Sequence, residues 1–155
     1  MARELKEEIK QKKPFKSIHE EAELNLVRTT NVLADSFGQL FKQYGITPTQ
    51  YNVLRILRGS EPEGLCRNEV SQRLLNRMPD ATRLLDRMEQ AGLVTRARST
   101  GDRRLVTTQI TRRGRELVDS LDDVVEQEHR KQLGHLSEQQ LRTLIDLLTA
   151  VRNRT

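Results

Sequence analysis

The sequence predicts a mainly α chain carrying one two-stranded β-hairpin, and three observations support this. Capping boxes mark helix starts at Ser17-Ile-His-Glu20, Thr47-Pro-Thr-Gln50 and Ser137-Glu-Gln-Gln140, each with a hydroxyl at the N-cap and a Glu or Gln three residues on. Behind each start the apolar residues recur at helical spacing. Between the second and third starts, Leu93–Arg98 and Leu105–Ile110 read as strands, joined across Ser99 to Arg104.

Taken in order, residues 1–16 read as a polar N-terminal arm or frayed helix, cut off by Pro14. From Ser17, the positions Val27, Leu33, Ala34, Phe37, Leu40, Phe41 and Tyr44 define a long first helix that stops at Gly45. A second helix runs from Pro48, favoured at N1, to Arg58, with Tyr51, Val53, Leu54 and Leu57 as its buried positions. Residues 59–64 form a loop. Two short helices follow, about Arg67 to Leu75 and Met78 to Ala91, the second ended by Gly92. After the hairpin, Thr111 is the N-cap of a helix carrying Leu117, Val118, Leu121, Val124 and Val125 toward Gly134. The last helix, from Ser137, places Leu141, Leu144, Ile145, Leu148 and Val151 on one stripe.

Composition narrows the function classes. A length of 155 residues fits a single domain, and five aromatics (Phe15, Phe37, Phe41, Tyr44, Tyr51) leave most of the packing to Leu, Val, Ile and Ala. With 32% charged and 35% hydrophobic residues and a net charge of +5, the chain reads as soluble and basic. No run approaches the roughly 18 apolar residues of a membrane span, the start is too polar for a signal peptide, and a single Cys excludes an internal disulfide. These features predict a cytoplasmic protein without a membrane partner.

The charge is localised. From Arg67 to Arg115 there are twelve arginines, no lysine and five acids, a net of +7, so the remainder nets −2. A basic middle between near-neutral helical ends predicts one segment facing a polyanion.

Enzymatic function is not expected. No HExxH, no Ser or Cys nucleophile signature and no phosphate-cradling glycine loop occurs. His129 and His135 stand six positions apart, on different faces of any shared helix, and His19 is remote in sequence, so neither a metal site nor a cofactor is predicted. An RNA-binding platform would need exposed aromatics, whereas all five lie in the first third at helical spacing. A purely structural nucleic-acid-binding or dimerisation module is the alternative outside regulation.

The segment from Asp102 to Gly114, DRRLVTTQITRRG, joins an Asp-Arg-Arg triplet beside the turn at Thr100-Gly101 to an alternating strand that ends in Thr-x-x-Gly. A hairpin presenting arginines at its tip, beside a helix pair, suits phosphates or a minor groove next to a helix lying in the major groove. Two short helices, a sharp turn and this hairpin make a winged helix-turn-helix flanked by long helices. At this point the chain resembles the multiple-antibiotic-resistance regulator (MarR) family of bacterial transcription factors, from Ser17 to Val151. Two motifs carry the resemblance: Asp102-x-Arg104 with Ile110-Thr111-x-x-Gly114, where the family usually has Leu before the Thr, and RMPDATRLLDRMEQAGLVTR from Arg77 to Arg96.

The resemblance implies dimerisation helices at residues 17–46 and 115–152, a DNA-binding region at 47–114, and a homodimeric repressor on a pseudo-palindromic duplex operator. With the second short helix in the major groove and its N-terminal turn foremost, Asn76, Met78, Pro79, Asp80, Thr82 and Arg83 are placed to reach base edges, with Arg83 suited to guanine, Thr82 to a thymine methyl and Asp80 to cytosine N4. Arg87, a turn further on, is expected on phosphate. The family pattern sends Arg104 into the minor groove, braced by Asp102, and leaves Arg96, Arg98 and Arg103 on the backbone.

Many family members also bind phenolic or other anionic aromatic effectors. By resemblance, Phe37, Phe41, Tyr44 and Tyr51 are candidates to line such a pocket, with His19 and Arg28 as polar groups, although core packing also accounts for the aromatics. Cys66-Arg-Asn-Glu69 repeats the capping-box spacing with a thiol, making Cys66 the N-cap of the first short helix. A thiol at a helix N-terminus beside Arg67 is the basis for a redox-sensing alternative. Peroxide-sensing family members carry their reactive Cys near the start of the first long helix, where this sequence has none.

Overall fold

The structure, a computed structural model, describes residues 4–99 and 101–153. The chain divides into two units, one ending at Ile46 and the other beginning at Thr47.

In the first unit a short helix, α1 (Leu5–Glu8), forms within the predicted arm and buries Leu5. The long helix α2 (Ile18–Lys42) starts where its cap predicts, with the Ser17 hydroxyl accepting the Glu20 N–H at 3.1 Å. The reciprocal half of the expected box is displaced by one residue. The Glu20 carboxylate accepts from Lys16 N–H at 2.6 Å instead of from Ser17. Phe41 is the buried residue of α2, and its ring stacks on Phe37 with centroids 5.8 Å apart.

The second unit begins with α3 (Pro48–Arg58), whose Thr47–Gln50 capping box is complete. Its buried Tyr51, Val53, Leu54 and Leu57 are the four positions the spacing predicts. A two-residue strand, β1 (Leu65–Cys66), then leads into α4 (Arg67–Arg73). After a loop come α5 (Thr82–Gln90), the hairpin strands β2 (Val94–Arg98) and β3 (Val106–Ile110), α6 (Arg112–Leu133) and α7 (Glu138–Arg152). The sheet has three antiparallel strands in the order β1-β3-β2, one more than the sequence predicts. Leu65 pairs with Thr108 and Cys66 with Thr107, so β1 closes the otherwise open edge of β3.

Leu85 and Met88 of α5, Val70 of α4, Leu93, Val94 and Ile110 of the hairpin, and Val118 and Leu121 of α6 share the core with α3. The Thr-x-x-Gly motif is where hairpin and helix join. The Thr111 hydroxyl accepts the Gly114 N–H at 3.0 Å and donates to the Gly92 carbonyl at 2.7 Å, while Thr111 N–H donates to Leu93 O at 3.1 Å. A Cβ on Gly114 would lie 2.2 Å from that Leu93 oxygen, so the first turn of α6 can sit on the hairpin only because position 114 has no side chain. Gly92, at φ +73, ends α5 as its position predicts.

On the other side of α6, Arg58 at the end of α3 donates to Asp119 Oδ1 at 2.6 Å and to both oxygens of Asp122 at 2.8 and 2.9 Å. Those bonds hold the Asp122 carboxyl below the usual range and keep the Arg58 guanidinium protonated. Arg115 adds an ion pair to Glu61. By contrast, α7 buries none of its residues, and Leu144, Ile145, Leu147 and Val151 are exposed.

Candidate nucleic-acid interface

The recognition element begins later than its sequence suggests. Helix α5 starts at Thr82, so Asn76, Met78, Pro79 and Asp80 lie in the preceding loop and not on the helix. Pro79 disfavours helical backbone at Met78, and the Asp80 side chain then closes a turn two residues ahead. Its Oδ1 accepts from Thr82 N–H at 2.9 Å and from the Thr82 hydroxyl at 2.5 Å, which lowers the Asp80 pKa. Asn76 donates to Thr49 Oγ1 at 3.4 Å. The Thr82 hydroxyl also accepts from Arg67 Nη1 at 3.0 Å, which leaves its methyl as the group to meet a base. Sequence reasoning noted Arg67, the first residue of α4, only as the neighbour of Cys66 and did not place it beside Thr82.

Helix α5 has three faces. Leu85 and Met88 are buried, Arg83 and Arg87 are exposed, and Asp86 and Glu89 lie half-buried toward the hairpin. Arg96 of β2 occupies the third face. Its Nη2 donates to Asp86 Oδ1 at 2.6 Å and its Nε to Glu89 Oε2 at 2.7 Å. These two bonds, Glu89 first, raise its pKa. The guanidinium of Arg96, expected on the DNA backbone, is thus engaged by two carboxylates of α5. The acids at i and i+3 were visible in sequence, but only the strand register brings Arg96 against them.

At the hairpin tip, Asp102 Oδ1 accepts the Arg104 N–H at 2.9 Å. The Leu105 N–H donates to the Asp102 carbonyl at 3.0 Å, and the Ser99 N–H donates to the Leu105 carbonyl at 2.7 Å. Thr100, half of the expected turn, lies outside the described residues. Arg98, Arg103 and Arg104 are exposed, and among the described residues none has an ion-pair partner. Between the tip and the starts of α4 and α5 lies an open hollow of about 380 Å³, lined by Arg67, Arg96 and Arg104 with Leu85, Leu105 and Val106. Cys66 caps α4 as expected, half-buried, with its N–H donated to Glu69 Oε2 at 2.8 Å. That bond lowers the Glu69 pKa.

The effector candidates are less tightly grouped. On α2, His19 and Arg28 are nine positions apart and so point to opposite sides, and Arg28 pairs with Glu8 at 3.5 Å. His19 shares the side of Phe37 but stands about 27 Å along the axis at 1.5 Å per residue. Tyr44 is exposed, while Tyr51 is buried in α3, where burial raises its pKa. Among the described residues there is no cluster of His, Cys, Asp or Glu able to hold a metal, and no helix is long and apolar enough to cross a membrane.

Residues 44–105 match the model of the MarR family. The HTH-type transcriptional regulator FarR of Neisseria gonorrhoeae is 27% identical over 135 residues, which cover 87% of this chain and 91% of FarR. The crystal structure of a MarR transcription factor from Planctomyces limnophilus superposes with a TM-score of 0.66 at 38% identity, covering 88% of this chain and 98% of that one. The repressor CouR, solved on a 23-mer DNA duplex, gives a TM-score of 0.68 at 27% identity over 84% of this chain and 90% of its own. CouR from Rhodococcus jostii RHA1 has also been solved with p-coumaroyl-CoA.

Proposed function

Because the chain belongs to the MarR family of transcription factors, we propose that it is a cytoplasmic repressor. It binds a pseudo-palindromic duplex operator as a homodimer and is released by a small aromatic or anionic ligand. The observation that carries the DNA-binding part is the pairing of two arginine-bearing elements on one basic segment: exposed Arg83 and Arg87 on α5, and Arg104 on the closed hairpin tip. Helix α5 enters the major groove with Thr82 and Arg83 foremost, while Arg104 enters the adjacent minor groove. Arg87, Arg98 and Arg103 sit on phosphates.

Two further observations support the assembly and the ligand. A capped amphipathic α7 with no buried residue lacks a partner for its apolar face, and a second copy supplies one through residues 17–46 and 115–152. For the effector, the half-buried Phe37 ring, stacked on the buried Phe41, is the aromatic group α2 offers, and CouR supplies the precedent of a relative held with an aromatic acyl thioester.

Footprinting on the promoter beside the protein's own gene, with and without a panel of phenolic acids and their CoA esters, tests the reading. Protection of paired half-sites about 10 bp apart, lost on adding a phenolic compound, is the expected result. Absence of any protected duplex would exclude the DNA-binding part, and protection indifferent to every compound would exclude the ligand class.

A further inference from the structure

The inner face of the hairpin loses its support in steps. Val94 pairs with Ile110, and both are buried in the core. One rung outward, Arg96 pairs with Thr108, and Arg96 is the residue tied to α5. At the next rung Arg98 pairs with Val106, and both side chains are exposed. The Arg96 guanidinium is therefore the last inner-face anchor before the hairpin projects away from the body.

Both anchoring acids lie on the element that reads the other groove. Asp86 and Glu89 alternate along α5 with exposed Arg83 and Arg87, so the helix shows its cations outward and its carboxylates to the hairpin. Isolated exposed ion pairs contribute little, but a planar guanidinium engaging two carboxylates through two of its nitrogens fixes direction as well as distance. The side chain of Arg96 is 29% exposed, the least of the three.

We propose that Arg96 is a positioning residue for DNA recognition: bridging Asp86 and Glu89, it locks the hairpin to α5 and so sets the offset at which Arg104 and Arg83 engage neighbouring grooves. The inference rests on the DNA-binding reading above. A small rotation about the Arg96 rung would swing the tip, where Arg104 lies, while leaving the Val94–Ile110 rung in place. Arg96 thus contributes to affinity through Arg104 and not through a phosphate of its own.

The decisive variants remove the carboxylates, because they leave every cation in place. In Asp86→Ala/Glu89→Ala a free Arg96 would be released toward the DNA and two negative charges lost, so a phosphate-contact role predicts equal or tighter binding. The positioning role predicts binding weaker by about tenfold to a duplex enriched from a random pool by the wild-type protein, the scale of coupling between interacting side chains.

Arg96→Gln should weaken binding to a similar degree. Combining Arg96→Gln with Arg104→Ala should cost little more than Arg104→Ala alone. Hydrogen exchange on the free protein gives a readout independent of DNA, with the Ser99 and Leu105 amides exchanging faster in Asp86→Ala/Glu89→Ala. Unchanged exchange at those amides, additive double variants, or tighter binding by the acid variants would each overturn the proposal. If Arg104→Ala has no effect on binding, the groove reading of the hairpin fails, and the exchange measurement still decides whether the lock exists.

Discussion

The Asp102 carboxylate holds Arg104 by its backbone: Oδ1 accepts the Arg104 N–H at 2.9 Å, and among the described residues the guanidinium keeps no ion-pair partner. The brace therefore shapes the turn and leaves the charge available.

This separates the roles of the two residues. Arg104→Ala should weaken operator binding by about 1 to 3 kcal/mol, roughly ten- to a hundredfold, with the melting temperature unchanged. Asp102→Asn should retain most of the affinity, because an amide oxygen can accept the same N–H, while Asp102→Ala should lose an intermediate amount. Titrations that put Arg104→Ala within about twofold of wild type would remove the hairpin from the groove.

Assembly is tested by the exposed face of α7. Removing the chain from Ser137 onward, or introducing Ile145→Glu with Leu147→Glu on that face, should convert a dimer to a monomer and abolish binding to paired half-sites. Sedimentation and titration on one duplex read both effects. A soluble monomer that binds as tightly as the parent would refute the homodimer.

Acid stability should depend on the Arg58–Asp122 pair. The folded pKa of Asp122 lies below its usual 3.8, so its contribution is complete above that value and fades as pH falls through the lower folded value. Asp122→Asn should therefore reduce stability at neutral pH, by on the order of 1 kcal/mol or less since the pair is partly solvated, and flatten the loss below about pH 4. Parallel acid limbs in melting curves of the two proteins would show that the pair contributes nothing.

Cys66 acts through its backbone and its place at the head of α4, so Cys66→Ser, which supplies a better N-cap, should bind DNA as the parent does. Peroxide at concentrations that spare control proteins should not release the parent from DNA. Release that disappears in Cys66→Ser would make the protein a redox sensor.

What was legible in the sequence was local. Thr47, Thr111 and Ser137 announce their helices because a cap needs only residues within one turn, and Gly92 ends α5 for the same reason. The strand β1 was not legible, since two residues carry no period and Leu65 and Cys66 become a strand only by meeting Thr107 and Thr108. The start of α5 was misplaced because Met78 fits the helical apolar pattern, and the signal against it, Pro79 followed by Asp80, is a turn signal. Arg96 was assigned to the DNA backbone from the family pattern of the hairpin, while its partners are fixed by how α5 packs on β2, a long-range relation that no window of sequence displays.

The basic segment from Arg67 to Arg115 contains arginine and no lysine. Guanidinium groups stay protonated throughout the physiological range, and lysine acetylation has no side chain to neutralise there. Neither alkalinity nor the cell's acyl-donor pools can then adjust the charge that this surface offers to a polyanion. Control over DNA affinity is left to the geometry of the elements bearing those charges, and a mutation that introduced lysine at Arg83 or Arg104 would open the surface to a covalent signal to which it is now closed.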